Sequence, residues 1–318
     1  MNLFATVLTY PAPSANYRGE SELNRAVIQK VTDGKFDYPI FSPESIRNAL
    51  RETLRKYGLP CNRTRLDDEE QLAVRFEDYP HAEAYADDFF FGYLVAASGK
   101  DRKEIEKILE KRGKDYKFQF KRDSVLRMNM AKALEPYRHN AVFTQSPLDA
   151  TPKDVKKHAN ATTSALLHRE TAVSAFQYPF ALNIDDCKPK SEWTRKLLKG
   201  IGELNDVAGN HARSYFEFAP ASIVVRLTKQ LVAGYQTYGF HTVAQPNGEA
   251  FHLFPEVVNG ILHEPTADYP GTEFYIGGKI VKDMSDDQLN ALTSRGVTVN
   301  RNPQELLQTV ATAALGKG

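Results

Sequence analysis

The stretch SPESIRNALRETLRKYG, Ser42 to Gly58, carries both ends of a helix in its letters. Ser42 can cap the first turn, and Pro43 fits the first helical position, where no backbone N–H is needed. Gly58 supplies a left-handed stop, and Pro60 prevents resumption. Ile46, Ala49, Leu50, Thr53, Leu54 and Tyr57 recur at helical spacing and make an apolar stripe. Arg47, Arg51 and Arg55 fall four apart on another face, so their guanidinium groups form a ladder along one side. The helix start also presents free N–H donors and a positive dipole end, which suits phosphate. The plainer alternative is a solvated amphipathic helix whose Glu44 and Glu52 pair with those arginines.

Working outward, the alternating segment Leu3 to Tyr10 reads as a strand, broken by Pro11-Ala-Pro-Ser. A polar stretch runs from there to Tyr38. Beyond the helix, Leu59 to Ser98 reads as an acidic, loop-rich insertion with an aromatic cluster at Phe89, Phe90, Phe91 and Tyr93. Asp101 to Arg112 is a charged amphipathic helix stopped by Gly113. Val125 to Leu134 reads as a strand ended by Glu135-Pro136, and Tyr137 to Glu170 as a second polar excursion. Val173 to Ile184 is a strand, and Ser191 to Val207 a helix with Trp193, Leu197, Leu198, Ile201 and Leu204 on one face. Tyr215 to Leu227 closes the series as a strand in which Pro220 implies a bulge or break. Without its excursions the chain runs strand, helix, strand, strand, helix, strand. That is the split βαβ, ferredoxin-like order of an α+β fold, which RNA recognition modules share. The aromatic signature of their RNA-stacking sheet is missing, so any RNA contact should come from loops and basic side chains.

Composition narrows the function. The chain has 318 residues, 42% hydrophobic and 25% charged, which is ordinary for a soluble globular protein with a sizeable core. Its two cysteines, Cys61 and Cys187, make neither a disulfide framework nor a metal cluster and suit a reducing cytoplasm. MNLFATVLTY lacks the basic start and cleavage site of a secretory leader, and no apolar run reaches membrane-spanning length. The expectation is a cytoplasmic protein with no membrane contact. Net charge is only +1, yet charge is segregated. Asp67 to Asp88 holds nine acidic residues against Arg75, and Lys111 to Lys132 holds eight basic residues against Asp115 and Asp123. Each run alone reads as a solvated face, while the pair can serve binding or self-association.

No catalytic constellation is visible. The histidines are scattered, without metal-ligand spacing, and neither a nucleophile elbow nor a phosphate-cradling Gly-rich loop is present. Asp33, Asp37 and the Asp67–Glu70 cluster could hold a divalent cation, although acidic loops are usually just solvated. No cofactor is expected. Three polar patches, each beside the end of an expected element, favour binding. The first contains Asn16, Arg18 and Arg25. The second, Lys121, Arg122 and Arg127, follows the interleaved aromatics Tyr116, Phe118 and Phe120. The third is Asn210, His211 and Arg213.

Five blocks then point to a family. YRGESELNRAVIQK (17–30), PIFSPESIRNALRE (39–52), ALEPYR (133–138), FQYPFAL (176–182) and GNHARSYFEFAPASIVVRL (209–227) occur in this order. Together they resemble the DevR-type backbone subunit of type I CRISPR surveillance complexes (Cascade), in a form similar to that of type I-B systems. The resemblance runs from about Leu3 to Leu227. It implies a modified RRM palm with a helical finger insertion and a β thumb, in a single domain. Residues 59–123 would be the finger, with its acidic part at Leu59 to Ser98, and residues 139–171 the thumb. Copies of such a subunit stack along CRISPR RNA in a helical filament with other Cascade subunits. Each thumb kinks the guide and displaces every sixth base, leaving the rest to pair with target DNA. Carried over, Asn16, Arg18 and Arg25, with Ser42, Ser45, Arg47 and Arg51, would hold the guide backbone, and Asn210, His211 and Arg213 would lie against the same RNA. A guide whose bases stay free is gripped through phosphate and sugar, which calls for such side chains without sequence readout. The acidic and basic runs could meet between neighbouring copies. Two alternatives stand beside this non-enzymatic reading. One is a metal-dependent ribonuclease using Asp33, since related type III subunits cut RNA with an acidic residue in loosely the same stretch. The other is a stand-alone RNA-binding module that does not polymerise.

Overall fold

The computed structural model describes residues 1–22, 25–67, 72–110, 118–146, 165–207 and 215–316. Its core is built from β1 (Asn2–Leu8), α1 (Pro43–Lys56), β2 (Leu126–Met128), β3 (Ala131–Ala133), β4 (Phe176–Asn183), α2 (Ser191–Gly202), β5 (Ser222–Thr228), β6 (Phe274–Gly278) and α3 (Pro303–Leu315). The signed helix forms as its letters require. Ser42 Oγ accepts the Ser45 N–H at 3.2 Å, Pro43 opens the first turn, and Gly58 follows at φ +75°. Ile46, Ala49, Leu50, Thr53 and Leu54 are all buried.

These elements make a nine-stranded sheet in the order Thr298–Asn300, β6, β5, β1, β4, β3, Asp37–Phe41, Lys30–Thr32, with β2 also on β4. The central pairs are antiparallel: Phe4 faces Ala181 on one side and Arg226 on the other. β2 and β3 run antiparallel to β4 at its two ends, joining Leu126 to Leu182 and Ala133 to Phe176. Strand alternation divides the side chains between two faces. Leu3, Ala5 and Val7, with Tyr178, Phe180, Leu182, Ile223 and Val225, point to α1, α2 and α3. Pro220 does interrupt the last expected strand. β5 starts at Ser222, and upstream of it Phe216 and Phe218 pack their rings on Phe41. Each such fully buried large side chain is worth about 1.5–3 kcal/mol.

The opposite face is also covered, which the sequence did not announce. Leu8, Val224 and Ile276 lie under Tyr235, Phe240, Phe254, Val257 and Ile261. Polar groups on that face are matched: Thr6 donates to the Thr237 carbonyl at 2.9 Å, and Gln177 bonds both backbone groups of Phe240. An open sheet on which bases could stack is therefore excluded over the central strands.

Two expectations about the acidic stretch are corrected. Phe89, Phe90 and Phe91 do not form a cluster of their own; on the helix Ala86–Phe91 they pack into the main core. Asp87 and Asp88 are fully buried rather than solvated. Asp87 accepts from the backbone N–H of Asn62 (2.7 Å) and Arg63 (3.0 Å), and Asp88 from Asn62 Nδ2 (2.9 Å) and the His81 N–H (3.0 Å). A buried carboxylate needs such a shell because it has lost its water. Burial pushes the Asp88 carboxyl above its ordinary value, against the pull of these hydrogen bonds. In the second excursion, Ala141–Ser146 and Ala165–Glu170 form an antiparallel hairpin, and Ala165–Glu170 also pairs with Arg25–Ile28.

Candidate nucleic-acid interface

The arginine ladder of α1 does not survive as a ladder. Arg51 is turned inward, 3% exposed, with Nε 3.0 Å from Asp87 and an Nη 2.7 Å from Asn48 Oδ1. Arg51, which the resemblance would set against the guide, is held here by the buried Asp87. Arg55 is engaged by Glu52 at 3.1 Å and by the Arg63 carbonyl at 2.8 Å. Arg47 is different. Its only charged neighbour within ion-pair range among the described residues is Glu44, exposed and 3.5 Å away, and its Nε is buried with no hydrogen-bond partner there. Partial burial draws its pKa below the ordinary value, with Glu44 opposing and Arg63 adding to the shift. Arg47 is a half-desolvated cation with donor capacity to spare.

Arg47 opens onto a cleft of about 370 Å³ that it lines with Asp123, Ser124, Arg127 and Met128. Arg127 comes from β2, between buried Leu126 and half-buried Met128, and strand alternation directs it outward. A larger cleft of about 810 Å³ adjoins it, sharing Asp123, Ser124 and Arg127 and adding Arg122 and Lys190. Arg122 lies over the Phe89 ring at 5.5 Å, and its Nε is likewise buried without a partner among the described residues. Lys121 is exposed, 3.9 Å from the exposed Asp123, a pair too wet to hold either group. The 121–127 patch and one arginine of α1, nearly eighty residues apart in the chain, thus meet on one surface.

Gly92 positions that surface. It has φ +63°, its carbonyl accepts from Arg63, and an added Cβ would lie 2.4 Å from the Arg122 carbonyl oxygen and 2.8 Å from Ser124 N. Ser124 Oγ donates to the Phe91 carbonyl at 2.7 Å, fastening the same two segments. Gly92→Ala should therefore lower stability by about 2 kcal/mol or more through φ strain and the backbone clash, and shift residues 122–124 with it. A thermal-denaturation midpoint equal to that of the parent would contradict this.

The other sequence-derived site residues fall out differently. Asn16 is buried, donates to the Ile40 carbonyl at 3.0 Å, and so serves the fold. Arg18 and Arg25 lie on the antiparallel strands Tyr17–Glu22 and Arg25–Ile28. Ser42 and Ser45 form the cap of α1. Asn210, His211 and Arg213 lie outside the described residues. Asp33 sits in an exposed hairpin turn, where its Oδ1 accepts from the Lys35 and Phe36 N–H at 2.9 and 2.8 Å. Those backbone bonds, Phe36 first, hold its carboxyl below the ordinary range. Among the described residues no group of three or more His, Cys, Asp or Glu could hold a metal ion. Sequence reasoning missed Lys132, held between the rings of Tyr38 at 4.6 Å and Tyr238 at 5.9 Å. The sequence signal was its place, with Arg127, as one of two charges inside an expected strand.

No protein-family model matches the chain. The CRISPR-associated protein Cas7/Cst2/DevR of Myxococcus xanthus (strain DK1622) is 28% identical over 302 residues, covering 92% of this chain and 91% of that protein. A chain of a CRISPR RNA-guided surveillance complex in a pre-nicking state superposes with a TM-score of 0.60 at 11% identity, covering 99% of this chain and all of that one. A chain of a second CRISPR RNA-guided surveillance complex gives a TM-score of 0.54, also at 11% identity, with the same coverage. The DevR-type resemblance read from the five blocks therefore holds over nearly the whole length. The solved structures share the fold, a large central sheet with helices. No helix among the described residues is long and apolar enough to cross a membrane.

Proposed function

We propose that this chain, Cas7-like in sequence and fold, is a backbone subunit of a CRISPR RNA-guided surveillance complex. It grips the sugar-phosphate chain of the guide, leaves the bases to pair with target DNA, and repeats along the RNA with further copies and other Cascade subunits. It does no chemistry itself. The antiparallel order β5, β1, β4, β2/β3, with α1 and α2 as the crossovers, supports reading the core as a ferredoxin-like, RRM-type palm. The hairpin Ala141–Ser146/Ala165–Glu170 fits the base of a thumb, and the 59–123 segment a finger.

The observation that carries the reading is the union of Arg47 and Arg127 across one cleft, with Ser124 beside them and both faces of the central sheet closed. Cations with spare donors on a surface without a base-stacking sheet suit phosphate contact without sequence readout. Asp33 adds no support to the ribonuclease reading: its Oδ1 accepts two backbone N–H groups of its own turn.

The test is RNA binding by the Arg47→Ala/Arg127→Ala protein. Affinity should fall for every spacer sequence alike, and the slope of log affinity against log salt should shrink by about 1.4, about 0.7 per lost phosphate contact on a single strand. The thermal midpoint should hardly move, because both are surface changes worth about 0.5 kcal/mol or less. An unchanged slope would sink the assignment.

A further inference from the structure

At the Tyr10 end of β1, a cleft of about 240 Å³ gathers cations from two segments. Lys279 and Lys282 come from the short helix Lys279–Asp283 that follows β6, and Arg301 from the turn before α3. Among the described residues no carboxylate lines this cleft. Lys279 is fixed by Asp283, whose Oδ1 lies 2.9 Å from its Nζ while Oδ2 accepts the His252 N–H at 2.7 Å. Lys282 and Arg301 are exposed and make no ion pair among the described residues, so their charge is uncompensated. The first N–H groups of α3 are taken by the Asn302 side chain, so the attraction for an anion rests on the side-chain cations. Tyr10 walls the same cleft, 52% exposed, with its ring 6.5 Å from that of buried His252. The surface around Arg47 and Arg127 lies elsewhere. Asn2 and Phe4 line its larger cleft, and the length of β1, roughly 20 Å, separates the two ends.

We propose that this cleft holds the phosphate backbone of a nucleic-acid strand other than the guide. Uncompensated cations around one small cleft attract polyanions, and each phosphate they meet releases condensed counterions. The Tyr10 ring favours a strand over an acidic peptide. Cations beside an exposed aromatic face suit a single strand of any sequence, whereas a run of carboxylates engages the cations and leaves the ring idle. The position argues against the guide, because a strand gripped at Arg47 and Arg127 meets the opposite end of β1. The proposal goes beyond the guide-binding reading and does not require it.

The experiment compares the full-length parent with Lys282→Ala/Arg301→Ala and with Tyr10→Ala. Each is saturated with guide RNA of defined sequence, then titrated with a fluorescently labelled single strand not complementary to it. One arm uses DNA and the other RNA of the same sequence. Guide affinity, its salt slope and the thermal midpoint should be alike in all three proteins, since the changes are at exposed positions. For the added strand, the slope of log affinity against log salt should shrink by about 1.4 in the double variant, about 0.7 for each of two lost phosphate contacts. Tyr10→Ala should weaken that strand about tenfold with the slope unchanged. Either arm binding in this way supports the cleft, and the tighter one identifies the source of the strand. The proposal is overturned if the guide-loaded parent binds neither added strand, or if the double variant binds with the parent's affinity and slope. It is equally overturned if an oligoglutamate peptide of equal charge displaces the strand while Tyr10→Ala changes nothing, which would make the cleft a dock for an acidic protein segment. If the parent takes up no guide RNA, the guide-binding reading falls, and the same titration of the unloaded protein decides this cleft by the same criteria.

Discussion

Arg51→Ala is expected to cost about 3–5 kcal/mol of folding stability, far more than any other arginine of α1. The partner, Asp87, is fully buried, and the substitution leaves its carboxylate with two backbone donors and with Arg63 Nε at 3.9 Å. An internal charge that loses its close counter-charge has no water to replace it. The guanidinium also gives up Asn48 Oδ1 and its place 5.5 Å from the Phe91 ring, so packing is lost with the charge. Urea unfolding measures the effect. The paired change Arg51→Met with Asp87→Asn should recover a large part of it, since removing both charges removes the penalty that breaking the pair creates. Arg47→Ala should stay within about 0.5 kcal/mol of the parent. A single Arg51→Ala variant as stable as that one would show that the buried pair is unimportant. RNA affinity of an Arg51 variant, by contrast, would say nothing about contact with the guide, because a fall in binding would follow from the damaged fold.

Stability should also fall between pH 6.5 and 4, by about 3 kcal/mol, on account of His252. This ring is 2% exposed beneath the second face of the sheet. Its Nδ1 lies in hydrogen-bond contact, 2.7 Å, with Ser222 Oγ, which also accepts the Ile280 N–H at 2.9 Å. Burial therefore holds the ring neutral and pushes its pKa down to about 4, with Asp283 opposing and Lys279 assisting. The unfolded chain takes up this proton near pH 6.5 and the folded one only near 4. Across that window the unfolded state binds more protons, so stability drops as pH falls and levels off below 4. The Asp185 carboxyl, held down to about 2 by Lys188 and the N-terminus, acts only at lower pH and does not overlap. Urea midpoints at intervals from pH 7.5 to 4 read the slope, and His252→Gln should flatten it. An equally steep slope in that variant would assign the acid lability elsewhere.

α1 was legible letter by letter because its determinants are local: a cap, a proline, a stop and a stripe lie within seventeen residues. The core strands and the second helix were legible for the same reason, with Pro220 marking where β5 must begin late. Of the site, the basic segment 121–127 was visible as a patch, since exposed charge is written directly in composition. Periodicity could not distinguish Arg47 from Arg51. Both lie off the apolar stripe, and only the arrival of Asp87, thirty-six residues away, turns one inward and leaves the other to the cleft. The fate of the acidic run was hidden likewise. A carboxylate reads as solvated until backbone donors from another segment enclose it, as Asn62 and Arg63 enclose Asp87.

By itself, then, the sequence determined β1, α1, β4, α2 and β5 in outline, the cap, stop and apolar stripe of α1, and the five blocks that resemble the DevR-type family, whereas β6 and α3 went unread. The tertiary structure alone decided which charges are internal, which surface Arg47 and Arg127 share, and that residues 233–262 close the second face of the sheet. The physical reason is range. Capping, periodicity and turn chemistry act over a few residues, whereas the protonation, pairing and exposure of a side chain depend on desolvation by whatever distant segment packs over it.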